Sequence, residues 1–260
     1  MIIRIELALS LLLVAYPAQA EVQTKTITYQ DGDVECHGYL AWDDDLEGKR
    51  PGVLVVHEWW GLNDYARERT EQLAELGYIA FAADIYGKGK TTTHPEDAGK
   101  MAGEVRANVD QWRSRAQAAL DVLKSQPDCD TSKLAAIGYC FGGATALQLA
   151  YSGADLDAVV TFHGALPTPT AEEAEDIQAE LLINHGADDT FISEEAVSAF
   201  KNALDKAGVT YEYIAYPGAV HSFTVPGADS VGIPGIKYNK EADEKSWQAM
   251  QELFKEKLGS

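Results

Sequence analysis

The stretch Leu134-Ala135-Ala136-Ile137-Gly138-Tyr139-Cys140-Phe141-Gly142-Gly143-Ala144 decides how this chain folds. Its first four residues form a short apolar run, as expected of a strand covered on both faces. From Ala144 to Tyr151 the pattern is that of a helix. Between strand and helix lies a G-x-nucleophile-x-G turn with Cys140 at its centre. Its glycines permit a turn so tight that the nucleophile takes a strained backbone conformation and projects above the sheet. Gly143 lets the helix start close to the strand. The helix N-terminus beneath Cys140 favours a thiolate, and the Phe141 N–H is placed to face a developing oxyanion.

The same alternation continues on both sides. Residues 24–30 and 36–42, joined by Asp31-Gly32-Asp33, read as an antiparallel hairpin. Gly52 to His57, Tyr78 to Ala83, Lys133 to Tyr139, Ala158 to Phe162, Glu180 to His185 and Thr210 to Tyr216 read as strands. Helices are expected from Asn63 or Asp64 to Leu76, as one or two pieces over 97–124, and over 193–207 and 240–257. Strand and helix in alternation mean an α/β fold: a mostly parallel central sheet with helices on both faces. Its chemistry belongs at the carboxyl ends of the strands.

A cysteine nucleophile needs a base, and the base needs an orienting acid. In an elbow fold these follow the nucleophile in the order acid, then histidine. The strand ending in His185-Gly186-Ala187 is followed by Asp188 and Asp189, and His221-Ser222-Phe223 follows the turn after the next strand. Both groups fall at carboxyl ends, within reach of Cys140. Trp59, Trp60, Tyr86 and Phe223 lie near the expected mouth, where they would line an apolar pocket or belong to the core. His57, His94, His163 and His185 are scattered without His-x-x-x-His spacing, so no metal site is expected. The segment 224–237, with two prolines and three glycines, is either a lid over the site or a plain surface loop.

Composition bounds the partners. The 260 residues carry 21 Lys and Arg against 41 Asp and Glu, a net charge of −20. That excess argues against nucleic acid, whose binding requires a cationic surface. Residues 1–20, with Arg4, the apolar run Leu7 to Ala15 and Ala18-Gln19-Ala20, have the layout of a signal peptide, leaving 21–260 as one domain exported to the periplasm or beyond. No later stretch suits a membrane span. Export makes a Cys36–Cys129 disulfide chemically possible while Cys140 stays free, or all three thiols stay reduced.

With these motifs in place, the sequence resembles the dienelactone hydrolases, α/β-hydrolases with a Cys-His-Asp triad. The resemblance spans the chain after residue 20 and rests on His57 to Leu62, Ala83-Asp84-Ile85-Tyr86-Gly87, Gly138 to Gly143, Asp189-Thr190-Phe191-Ile192 and His221-Ser222-Phe223. It implies Cys140 as nucleophile, His221 as base and Asp189, rather than Asp188, as the acid. It further implies Glu58 as a carboxylate that contacts the resting thiol, and the Trp59 N–H beside that of Phe141 in the oxyanion hole. The family holds its substrate's carboxylate with two arginines. Those positions are Lys88 and Val225 here, which implies a preference for uncharged substrates unless Arg67, Arg69 or Arg106 reaches the pocket. The expectation is an exported, monomeric ester or lactone hydrolase that needs no cofactor and acts on a small molecule. The rival reading is a non-hydrolytic thiol protein on the same fold, a redox sensor or a ligand-binding protein.

Overall fold

The computed structural model describes residues 22–259; the leader expected at residues 1–20 lies outside them. β1 (Val22–Asp31) and β2 (Val34–Asp43) form the antiparallel hairpin, turning at Gly32 with a φ of 56°. There follow β3 (Arg50–Val56), β4 (Ile79–Ala83), β5 (Cys129–Tyr139), β6 (Ala158–Phe162), β7 (Glu180–Gly186) and β8 (Tyr211–Tyr216). All eight join one sheet in the order β1-β2-β4-β3-β5-β6-β7-β8, with β3 to β8 parallel and β2 antiparallel to β4. The connections hold α1 (Asp64–Glu75), α2 (Pro95–Arg106), α3 (Val109–Lys124), α4 (Phe141–Tyr151), α5 (Ala171–Glu175) and α6 (Glu194–Ala207), and α7 (Lys240–Lys257) closes the chain.

Why the central strands are apolar throughout follows from the period of two. In β3, Val53 and Val55 point to one face, where Ala66 and Leu73 of α1 and Met250 and Phe254 of α7 cover them. Leu54 and Val56 point to the other, in the larger apolar cluster with Trp112 and Leu120 of α3 and Leu147 of α4. A strand packed on both sides favours an apolar side chain at nearly every position.

The segment 97–124 forms two helices because Asn108 accepts a hydrogen bond from the Gln111 N–H and starts α3 afresh. The short α5 is held by a Thr170–Glu173 capping box and was not evident from apolar periodicity. Among the described residues no helix is long and apolar enough to cross a membrane.

The possible Cys36–Cys129 bond is excluded by topology. Cys36 lies on β2 and Cys129 on β5, with β4 and β3 between them. Three strand spacings amount to about 14 Å, against the ~7 Å Cα separation that a disulfide tolerates. All three cysteines are free, and burial pushes both the Cys36 and the Cys129 thiols up to about 11. Thiol titration in denaturant should therefore count three reactive groups under non-reducing conditions; a count of one would contradict this arrangement.

Candidate active site

The carboxyl ends of the parallel strands bring the chemistry to one edge of the sheet. Cys140 follows β5 directly, at φ 53° and ψ −114°, and occupies the N-cap position of α4. Its N–H donates to the Phe162 carbonyl at the end of β6 (3.0 Å). The two flanking glycines are there for space. A Cβ on Gly138 would lie 2.0 Å from the Gly142 carbonyl oxygen, and one on Gly142 would lie 2.2 Å from that of Val56. No side chain fits either place, so α4 can begin against the end of β3 only with glycine at both.

His221, in the loop after β8, shares Nδ1 with Asp189 Oδ2 at 2.8 Å. The other Asp189 oxygen accepts the Phe191 N–H at 2.9 Å. Asp189 is buried and Asp188 is exposed, which separates the two adjacent carboxylates: only Asp189 meets the imidazole. With Nδ1–H committed to Asp189, Nε2 is the nitrogen left for the cavity that His221 shares with Cys140. Burial disfavours the imidazolium. Cys140 across the cavity and the hydrogen-bonded Asp189 carboxylate outweigh it and hold His221 up to about 10.

Glu58 follows β3 and is buried at 3% exposure. Its Oε1 accepts a hydrogen bond from the Ser222 hydroxyl at 3.0 Å, so in this structure the carboxylate is engaged by the residue next to His221. Burial pushes Glu58 up to about 6, against the opposing pull of the His221 charge and the Ser222 bond. Phe141 is the first residue of α4, and its ring stacks on Trp112. Trp59 lines the cavity, and its carbonyl is fixed by the Tyr86 hydroxyl at 2.9 Å.

That cavity, of about 330 Å3, is bounded by Trp59, Phe141, Ala165, Phe191, Ile192, Ile233 and Ile236, besides Cys140, His221 and Arg106. The expected pocket differs. Trp60 opens into a neighbouring hollow with Asn63, Thr91 and His94. Tyr86 is buried between His57 and Phe141 and acts as a prop for Trp59. Lys88, at φ 57°, is exposed on a separate cleft beside Lys90 and Glu104. Phe223 is fully buried against His163 and Tyr216 and belongs to the core. Position in the sequence near the mouth did not reveal which face each ring would take.

Other residues reach the cavity instead. Ile233 and Ile236 come from the segment 224–237, which folds back so that the His221 N–H donates to Gly235 and the Lys237 N–H to His221. Of the three arginines considered, Arg69 is locked to Asp243, Arg67 lies over the Tyr39 ring, and Arg106 alone lines the cavity, with its guanidinium 5.4 Å from the Phe141 ring centre. Phe191 and Ile192 stood in the sequence beside the acid; Ala165 and the two isoleucines carried no signal. Asp84, prominent in the sequence, turns out to serve the backbone: its carboxylate accepts the N–H groups of His37, Tyr86, Gly87 and Gly89.

The profile of the dienelactone hydrolase family matches residues 36–258. The chain belongs to this family. It is a hydrolase of esters or lactones. Among solved structures, a protein named m3DLH is 43% identical, with a TM-score of 0.89, over 91% of this chain and 99% of its own. A dienelactone hydrolase-like promiscuous phosphotriesterase from metagenomic libraries is 44% identical at the same TM-score, covering 91% and 98% of the two chains. A curated relative, protein usf of Aquifex pyrophilus, is 30% identical over 89% of this chain and 98% of its own.

The buried Glu58 should cost stability. Its carboxyl is raised from 4.5 to about 6, so the folded state favours the protonated form. The penalty is therefore absent below about pH 4.5 and complete above about 6. Glu58→Gln, which keeps an acceptor for Ser222, is expected to stabilise the protein near neutral pH by on the order of 2 kcal/mol, with little gain near pH 4.5. Thermal melts of both proteins at the two pH values check it.

Proposed function

We propose that this member of the family is an exported monomer that cleaves uncharged carboxylic esters or lactones through an acyl-cysteine intermediate on Cys140. The observation that carries the reading is the His221 Nδ1 to Asp189 Oδ2 hydrogen bond of 2.8 Å at the edge of the cavity that holds Cys140. Cys140 attacks the carbonyl as the thiolate of an ion pair with His221. The tetrahedral oxyanion is met by the N–H groups of Phe141 and Trp59. His221 gives its proton to the leaving alkoxide and then takes one from the water that hydrolyses the acyl-cysteine. Asp189 keeps the ring in the tautomer this needs. A carboxylate beside a thiolate is repulsive, so Glu58 serves the thiolate state best when Ser222 holds it. Export rests on the leader pattern of residues 1–20, and a monomer on the fact that one chain supplies every group named.

The cavity's apolar walls favour uncharged acyl groups. Arg106 is exposed, and a single exposed guanidinium gains about 1 kcal/mol at most from a carboxylate, roughly fivefold in affinity. Lys88 is turned to another cleft and Val225 has no donor. A neutral phosphotriester is a second substrate class, supported by the 44% identical relative described as a promiscuous phosphotriesterase.

Cys140→Ala and His221→Ala should each lower p-nitrophenyl acetate turnover by on the order of 10³-fold, and Asp189→Asn should cost more than Asp188→Asn. A thiol sensor would instead form adducts without turnover. For substrate charge, kcat/KM is expected to be higher for p-nitrophenyl acetate than for a dienelactone carboxylate in the same buffer. Arg106→Gln should change the value for the anionic substrate by no more than about fivefold. A clear preference for the carboxylate would overturn the proposed class.

A further inference from the structure

Four described non-glycine residues have positive φ, and three of them surround the site: Cys140 at 53°, His163 at 41° and Ser222 at 55°. Backbone strain of this kind persists only where the surroundings over-determine it. Cys140 is held by the hydrogen bond of its N–H to the Phe162 carbonyl. The next residue, His163, directly follows β6, with its own N–H donating to the Asn184 carbonyl on β7 (2.8 Å). Its side chain then leaves the sheet toward the His221 loop. His163 Nε2 lies 2.7 Å from the hydroxyl oxygen of Thr224, three residues after His221. The His163 ring also stands edge-on to the His221 ring, 5.4 Å between centroids.

We propose that the buried His163–Thr224 hydrogen bond is a strut that fixes the separation of Cys140 and His221, with His163 and Thr224 as positioning residues. The proposal rests on the reading of Cys140 and His221 as nucleophile and base. Through Phe162, His163 is one residue from the group that holds the nucleophile. Through Thr224, it grips the strained turn that carries the base. The bond therefore ties the two halves of the site at the carboxyl end of a single strand.

The far side of Thr224 is equally well held. Its hydroxyl oxygen is 2.6 Å from the Tyr65 hydroxyl, and its carbonyl accepts from Arg69 Nη2 at 2.9 Å. Arg69 Nε donates to the Tyr65 hydroxyl (3.2 Å), and its guanidinium pairs with Asp243 at the start of α7. Thr224 and His163 are fully buried, and Arg69 and Asp243 nearly so. An anchor built into α1 and α7 thus reaches the catalytic loop through one threonine.

The donor sense follows from satisfaction. His163 Nδ1 is buried with no hydrogen-bond partner among the described residues. A buried lone pair without a partner is less costly than an orphaned N–H, so Nε2–H donates to Thr224. Burial, with the cationic His221 and Arg69 nearby, keeps His163 neutral far below the ordinary histidine range. The strut accordingly keeps one protonation state while His221 cycles.

Thr224→Val removes the hydroxyl and keeps the shape. Misplacement of a reacting group by ~1 Å costs up to about 10²-fold. The variant should therefore lose roughly tenfold or more in kcat on p-nitrophenyl acetate, with KM little changed. It should also lose thiolate ultraviolet absorbance at neutral pH, because the imidazolium no longer faces the sulfur; Thr224→Ser should restore both. Should Thr224→Val fail to fold, His163→Asn tests the same bond. Asparagine accepts the left-handed backbone but is too short to reach Thr224, and the same two losses are expected. Wild-type kcat and thiolate absorbance in a folded variant would overturn the strut, as would a loss of stability alone. His221→Ala separates the two claims. If it abolishes thiolate absorbance and turnover while Thr224→Val leaves them intact, the strut fails and the base assignment stands. If His221→Ala is active, the base assignment itself fails.

Discussion

At the heart of the site the backbone of Gly142 crosses the end of β3, with no room for a Cβ next to the Val56 carbonyl. Everything at the site depends on this crossing. It lets α4 start hard against β3, so the first N–H of that helix and the turn carrying Glu58 and Trp59 share one small space. Beside it Cys140 takes a positive φ, which no ordinary helix start would require. Strain at Cys140 is held in place by the Phe162 bond and by the packing of Phe141 on Trp112.

Electrostatics then divides the work among groups that would otherwise oppose one another. Glu58 and Asp189 are both buried carboxylates near His221, yet their surroundings differ. Asp189 is matched to an imidazole N–H and a backbone N–H, one on each oxygen. Glu58 has one hydroxyl donor and pays a desolvation penalty that raises its pKa. A fold selected for stability alone would have no use for it, which fits the general tendency of functional sites to hold perturbed titratable groups. The mouth is different again: apolar walls from the turn after β3, α4, the loops after β6 and β7 and the 224–237 segment, with Arg106 as the one arginine among them.

Much of this was legible in the residue order because local constraints wrote it there. Apolar runs of five to seven residues report strands covered on both faces, and they matched β3, β6 and β7 closely. The Gly138 to Gly143 turn reports the elbow, since only glycine survives such a crossing. The order of Cys140, Asp189 and His221 reports how a doubly covered parallel sheet delivers loops to one edge. A short helix such as α5 escaped because its hold is a capping box rather than an apolar stripe.

What the sequence by itself determined was therefore the sheet, the strand-to-helix turn at Cys140 and the chain order that brings Cys140, the Asp188-Asp189 pair and His221 to one edge, set by periodicity, by glycine sterics and by topology. Only the tertiary structure decided which of two adjacent aspartates meets the imidazole, that Cys36 and Cys129 lie three strands apart, and that Trp60, Lys88 and Phe223 face away from the cavity while Arg106, Ile233 and Ile236 line it. The physical reason is that these outcomes depend on loop paths and side-chain directions. Those are set by contacts between residues far apart in sequence, and no local pattern records them.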